Sequence, residues 1–292
     1  MLVDLVDVTT KDGVRLDGTL RNPDRGRGSL APDLCILHHG LAGNFYAPGL
    51  LSDFTDALLE GGIPVLRVNA RGHDPVSRDA VTRKSFGGAY ERLNDCIYDW
   101  GAWIDFAEAG GYKNILVWGH SLGGMKTIYY LAHTQDPRVR FAVATSPPRF
   151  SYSDYQISEG WERFHDEERR ALTHIEEGRP ETLMEVAYPN SLLITAEGFI
   201  DKYGPEDNYN ILKLLPGITQ PMLVTVGALE GVVINDVNSL MAFKGLAHQL
   251  ERLSGEVEGV TFAPIPGGDH QFNGVRREGW EIIRDWLSQQ GS

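Results

Sequence analysis

The sequence predicts an α/β protein: a mostly parallel sheet with helices on both faces and a small helical cap insertion. Three observations carry this. Short apolar runs at residues 34–37, 63–69, 115–118, 139–145, 222–226 and 260–263 alternate with longer stretches of helical periodicity. The runs at 34–37 and 115–118 are apolar throughout, as strands covered on both faces must be. Between residues 145 and 222 the alternation stops, and an insertion there would lie over the C-terminal strand ends, where ligands of such sheets bind.

Taken in order, residues 2–10 and 14–21 alternate around Lys11-Asp12-Gly13, an Asp-Gly turn, so the chain opens with an antiparallel hairpin. A polar Gly- and Pro-bearing loop at 22–32 leads to the strand at 34–37, which exits through His38-His39-Gly40-Leu41. A helix over 48–60 closes at Gly61-Gly62, and the strand at 63–69 exits through Ala70-Arg71-Gly72-His73-Asp74, a turn placed beside the strand ends. A loop rich in Ser, Arg and Gly runs to about residue 88. A helix over 90–109 puts Leu93, Ile97, Trp100, Ile104 and Ala107 on one face. The strand at 115–118 follows, then a helix carrying Met125, Ile128, Tyr129 and Leu131 near a 3.6-residue period.

After the strand at 139–145, residues 150–190 lack strand patterning and are dense in aromatic and charged groups, so one or two amphipathic helices are expected, breaking at Gly178 and Pro180. The pattern resumes with a strand at 222–226, a helix over 237–253, a strand at 260–263 and a last helix over 276–289. The expected division is a core of 1–149 and 216–292 interrupted by a cap and re-entry segment of 150–215.

A chain of 292 residues with 42% hydrophobic and 23% charged residues can bury one large core. With 27 basic against 40 acidic residues, the net charge is −13 and no basic cluster stands out, which argues against nucleic acid or an anionic membrane as partner. Cys35 and Cys96 lie in apolar contexts and read as small buried hydrophobes rather than a disulfide pair. The first residues carry acids and no long apolar core, so neither a signal peptide nor a membrane anchor is expected, and a reducing cytoplasm is the default.

The chemistry centres on Gly119-His120-Ser121-Leu122-Gly123, set between a buried strand and a helix. A serine on so tight a strand-to-helix turn needs neighbours without a Cβ, and the turn lifts its hydroxyl out of the sheet. The hydroxyl is a poor nucleophile alone. It needs a base, and the base an orienting acid, in the chain order Ser, acid, His. Of the nine histidines, His270 in Gly268-Asp269-His270 falls just past the last strand, where that order requires it.

For the acid, Glu230 follows the strand at 222–226 by a short loop. Asp236 competes, although it is better placed to cap the next helix, and Asp269 would point away from its neighbour. The amide of Leu122, at a helix N-terminus, and that of Leu41, after the turn-permitting Gly40, are the expected oxyanion donors. His39 reads as a structural hydrogen-bonding residue. No ligand set at metal spacing surrounds His38-His39, so neither metal nor cofactor is expected. Tyr155 and Trp161 in the insertion are the candidate substrate contacts, hinting at an apolar or aromatic acyl or alcohol part.

Together His39-Gly40, Arg71-Gly72-His73, Gly119-His120-Ser121-Leu122-Gly123-Gly124, Gly227-x-x-Glu230 and Gly268-Asp269-His270 resemble the α/β-hydrolase superfamily over residues 39–270. Glu230 is a departure, since most members of the superfamily have Asp there. The re-entry through Asp207-Asn208-Tyr209-Asn210 resembles the siderophore-esterase-like branch in layout only. The resemblance implies a small-molecule carboxylic ester as substrate, or an amide, a lactone, a C–C bond or acyl transfer on the same groups. A non-catalytic ligand-binding protein on this fold is the reading from another class. Turnover of a generic p-nitrophenyl ester separates the two.

Overall fold

The computed structural model describes residues 3–79, 82–231 and 241–290. The chain opens with the hairpin β1 (Asp4–Thr9) and β2 (Arg15–Arg21), turning at Gly13 with φ 86°. Then come β3 (Leu34–His38), α1 (Leu50–Glu60), β4 (Val65–Val68), a two-residue pair β5 (Ser77–Arg78) and β6 (Ser85–Phe86), and α2 (Cys96–Ala109). The centre of the chain is β7 (Ile115–His120), α3 (Leu122–Thr134) and β8 (Val139–Thr145). The insertion holds α4 (Tyr152–Gln156), α5 (Trp161–Glu176), β9 (Leu183–Val186), β10 (Leu192–Thr195), α6 (Ala196–Tyr203) and α7 (Ile211–Leu214). Last are β11 (Met222–Gly227), α8 (Leu246–Glu256), β12 (Val260–Ile265) and α9 (Arg276–Gln289).

Eight strands form one sheet in the order β1-β2-β4-β3-β7-β8-β11-β12. From β4 to β12 the neighbours are parallel, while β2 pairs antiparallel with both β1 and β4. Because strand side chains alternate between faces, each apolar run feeds two cores. Leu34, Ile36, Ile115, Val117, Met222 and Val224 join Trp100, Trp103, Met125 and Leu250 from α2, α3 and α8 on one face. Cys35, Leu37, Leu116, Trp118 and Leu223 join Phe54, Leu58, Ile283 and Trp286 from α1 and α9 on the other. This double coverage is why the strands are continuously apolar. Both cysteines are buried and free.

Three local expectations are corrected. Residues 150–190 do contain a strand: β9 pairs with β10 in a small hairpin whose inward residues Met184, Val186 and Ile194 close onto the core. Four-residue strands beside Pro180 and Pro189 are too short for periodicity to reveal. Second, the α2 helix begins later than residue 90. Ala89 O accepts from Thr195 N and Leu93 N donates to Asp201, which holds Arg92 extended (φ −94°, ψ 125°) ahead of a short 3-10 turn. Third, the expected helix over 237–253 is interrupted: a 3-10 turn at Met241–Phe243 precedes Gly245 at φ 66°, and α8 starts after it. The beginning of that expected helix, and Asp236, lie outside the described residues.

Candidate active site

Ser121 sits between β7 and α3 at φ 55° and ψ −126°, a conformation costing a non-glycine residue about 1–3 kcal/mol. The surroundings hold it there. Its amide donates to Thr145 O at 2.8 Å, and its carbonyl accepts from Gly124 N at 2.9 Å. A Cβ on Gly119 would stand 2.1 Å from Gly123 O, and one on Gly123 would stand 2.4 Å from His39 O, so both positions exclude a side chain.

Two further loops meet this turn. After β11, Ala228 N donates to Ile265 O and Leu229 N to Gly268 O, lashing the loop of Glu230 to the loop of His270. Gly227 permits the approach, since a Cβ there would be 2.4 Å from Gly268 O. His270 Nε2 then lies 2.9 Å from Ser121 Oγ, and His270 Nδ1 lies 2.5 Å from Glu230 Oε1. The second carboxylate oxygen of Glu230 accepts from Ser146 Oγ at 2.6 Å and from Gly227 N at 2.7 Å. Glu230 is nearly closed to solvent, its side chain 4% exposed against 33% for His270. Asp269 instead accepts from the amides of Gln271 and Asn273 and so shapes its own loop.

Ser146 escaped the sequence reading. The signal was only its place immediately after β8, at the same end of the sheet as Ser121, Glu230 and His270. It is another non-glycine residue with positive φ, 49°, which turns its hydroxyl towards the carboxylate.

The histidines at the other strand ends are neutral structural groups. His39 Nδ1 lies 2.7 Å from Gly40 O, and Nε2 accepts from Ala70 N at 3.1 Å; burial, then the Lys126 charge, lowers its pKa to about 3. His38 bonds His39 O and is likewise depressed by burial. His120 bonds Thr145 and Gln271 and lies with its ring 5.0 Å from that of His270; burial, then His270, lowers its pKa to about 3. Among the described residues no group of three His, Cys, Asp or Glu is arranged to hold a metal ion.

Gly40 lies against the serine: a Cβ there would be 3.0 Å from Ser121 Cβ and 3.4 Å from its Oγ. The loop it belongs to is tied down by Asp74, which accepts from Asn44, Tyr46 and His73, and by Asn69, which accepts from Phe45 N. Arg71 beside them is buried on Asp99 and Asp12. Leu41 follows Gly40 directly in this loop. Leu122 opens α3, where no preceding turn offers its N–H an intrahelical acceptor.

Tyr155 and Trp161 lie in the aromatic packing of the insertion. Tyr155 is 2% exposed and stacks on Phe164, while the half-buried Trp161 stacks on Phe164 and His165. Neither shares a hydrogen bond or ring contact with Ser121, Glu230 or His270 among the described residues. Two clefts, of about 670 Å³ beside Lys84, Arg92 and Arg179 and about 890 Å³ between α1 and α9, are lined by residues other than these three. The mutual geometry of Ser121, His270 and Glu230, not cleft size, marks the candidate site. No helix among the described residues is long and apolar enough to cross a membrane.

Comparison with known proteins agrees with this architecture. The structure of the α/β hydrolase GrgF from Penicillium sp. sh18 is similar at TM-score 0.70 and 18% identity, covering 99% of each chain. Est1E from Butyrivibrio proteoclasticus, solved with ferulic acid bound, is similar at TM-score 0.65 and 18% identity over 97% of this chain and 98% of that one. The Pyrococcus furiosus esterase Pf2001 is similar at TM-score 0.64 and 18% identity over 100% and 91%. No curated protein matches the sequence significantly. None of these findings bears on the siderophore-esterase-like branch. Residues 35–273 match the model of the alpha/beta hydrolase family, and the chain belongs to that family.

Proposed function

We propose that the protein hydrolyses a carboxylic ester through an acyl-enzyme on Ser121. One observation carries the reading: Ser121 Oγ, both ring nitrogens of His270 and Glu230 Oε1 stand in a single hydrogen-bonded line of 2.9 and 2.5 Å. Ser121 Oγ attacks the ester carbonyl while His270 Nε2 takes its proton, and the amides of Leu41 and Leu122 hold the oxyanion. His270 returns the proton to the departing alkoxide. Water, deprotonated by the same nitrogen, then attacks the acyl carbonyl; the bond to Ser121 Oγ breaks, His270 gives the proton to Oγ, and the acid leaves. Glu230 keeps the Nδ1–H tautomer and stabilises the imidazolium; a glutamate serves here as an aspartate does elsewhere, because Ser146 and Gly227 fix its second oxygen.

The esterase structures similar to this chain support an ester as substrate. Residues 150–215 act as a cap on a core of 1–149 and 216–292. Within the cap Trp161 keeps surface for a substrate, whereas Tyr155 contributes packing. The test is Ser121→Ala with p-nitrophenyl acetate: turnover should vanish with the melting temperature unchanged, and full turnover in the variant would overturn the reading.

A further inference from the structure

Lys202, near the end of α6, is 6% exposed. Its Nζ stands 5.5 Å from the ring centre of Phe150 and 5.3 Å from that of Tyr203, and it has no hydrogen bond or ion pair among the described residues. Other buried cations are compensated. Arg71 is held by Asp99 and Asp12, Lys126 by Glu91, and Arg149 by Asp154. The two acids whose charges act on Lys202 are already committed. Glu91 is the partner of Lys126, while Asp201 accepts from Leu93 N at 2.7 Å and from the Tyr209 hydroxyl at 2.8 Å. Burial, offset in part by Glu91, lowers the Lys202 pKa to about 8, so the ammonium is still mostly charged at neutral pH. Aromatic faces compensate only part of the lost hydration of a buried cation.

One route of contacts runs from Lys202 to the candidate serine. Ser121 Oγ lies 2.9 Å from His270 Nε2, the His270 ring lies 5.3 Å from that of Phe243, Ala242 O accepts from Arg149 N, and the next residue, Phe150, underlies the Lys202 ammonium. Lys202 is thus linked through Phe150, Arg149, Ala242 and Phe243 to the His270 side of the site.

We propose that Lys202 binds a carboxylate on the substrate, so that the preferred ester carries a free acid group remote from the bond that is cleaved. This deepens the ester-hydrolase reading and rests on it. An incoming carboxylate would supply the counter-ion the fold withholds, and a charge-assisted bond in so dry a place is strong.

The experiment compares two esters of equal acyl length, 4-nitrophenyl hexanoate and 4-nitrophenyl hydrogen adipate, on the full chain and on Lys202→Met. The wild type should favour the adipate. In Lys202→Met the adipate-to-hexanoate ratio of kcat/KM should fall about ten- to a hundred-fold, the span of one hydrogen bond to a charged group, with the loss in KM. A ratio that is the same in both proteins overturns the proposal and leaves the ester reading standing. If the wild type cleaves neither ester, the ester reading itself fails and the proposal falls with it.

Discussion

Ser146 offers a graded test of the proposed catalytic line, because its hydroxyl bonds Glu230 and not His270. Ser146→Ala removes the 2.6 Å bond to Glu230 Oε2 and leaves the 2.7 Å bond from Gly227 N. A hydrogen bond to a charged group is worth about 1.5–3 kcal/mol, which caps the loss near 150-fold. Only the part that strengthens as His270 becomes an imidazolium counts, so a fall in kcat of about 10- to 100-fold is expected, with KM little changed. Ser146 also sits at φ 49°, where Ala is as strained as Ser but Gly is not. Ser146→Gly separates hydroxyl from backbone: it should lose as much kcat as Ser146→Ala while melting no lower. Steady-state kinetics on p-nitrophenyl butyrate and thermal melts of both variants decide it. Full kcat in either variant would refute the view that the hydroxyl positions the acid.

Glu230→Gln should cost up to about 10⁴ in kcat with normal stability, whereas Asp236→Asn should stay active; the reverse outcome moves the acid to Asp236. Stability should fall with acid before the carboxylates titrate. His39 and His120, depressed to about 3 by burial, favour the neutral ring in the fold, so their contribution is complete above the unfolded value near 6.5 and is lost as pH falls towards 3. Urea titrations between pH 6.5 and 5 should show a loss of about 1 kcal/mol per pH unit for each of the two, and a flat profile would contradict their buried neutral state. Trp161→Ala should weaken kcat/KM for bulky esters tens-fold more than for an acetyl ester, while an equal loss on both would remove Trp161 from the substrate's surroundings. Tyr155→Phe should leave selectivity alone and melt no lower, because the Tyr155 hydroxyl is buried with no hydrogen-bond partner among the described residues.

What the sequence by itself determined is what local chemistry controls. Gly119 and Gly123 announce the serine turn because nothing larger fits within a few residues of it, and a run such as Ile115-Leu116-Val117-Trp118 announces a strand covered on both faces. Order along the chain then singles out His270 among nine histidines, since loops leaving parallel strands all emerge at one end of the sheet. Tertiary structure alone decided whatever depends on which distant segments share a space. Ser146 reaches Glu230 across 84 residues, and no local pattern distinguishes it from any other loop serine. Strand β9 exists because β10 pairs with it and the core accepts Met184 and Val186, not because four residues prefer to be extended. Nothing in the sequence around Lys202 sets it apart from other lysines. Its burial on Phe150 and Tyr203, with Glu91 and Asp201 bound elsewhere, is set by residues up to 111 positions away, because a side chain's dielectric surroundings and counter-ions are assembled by the whole fold.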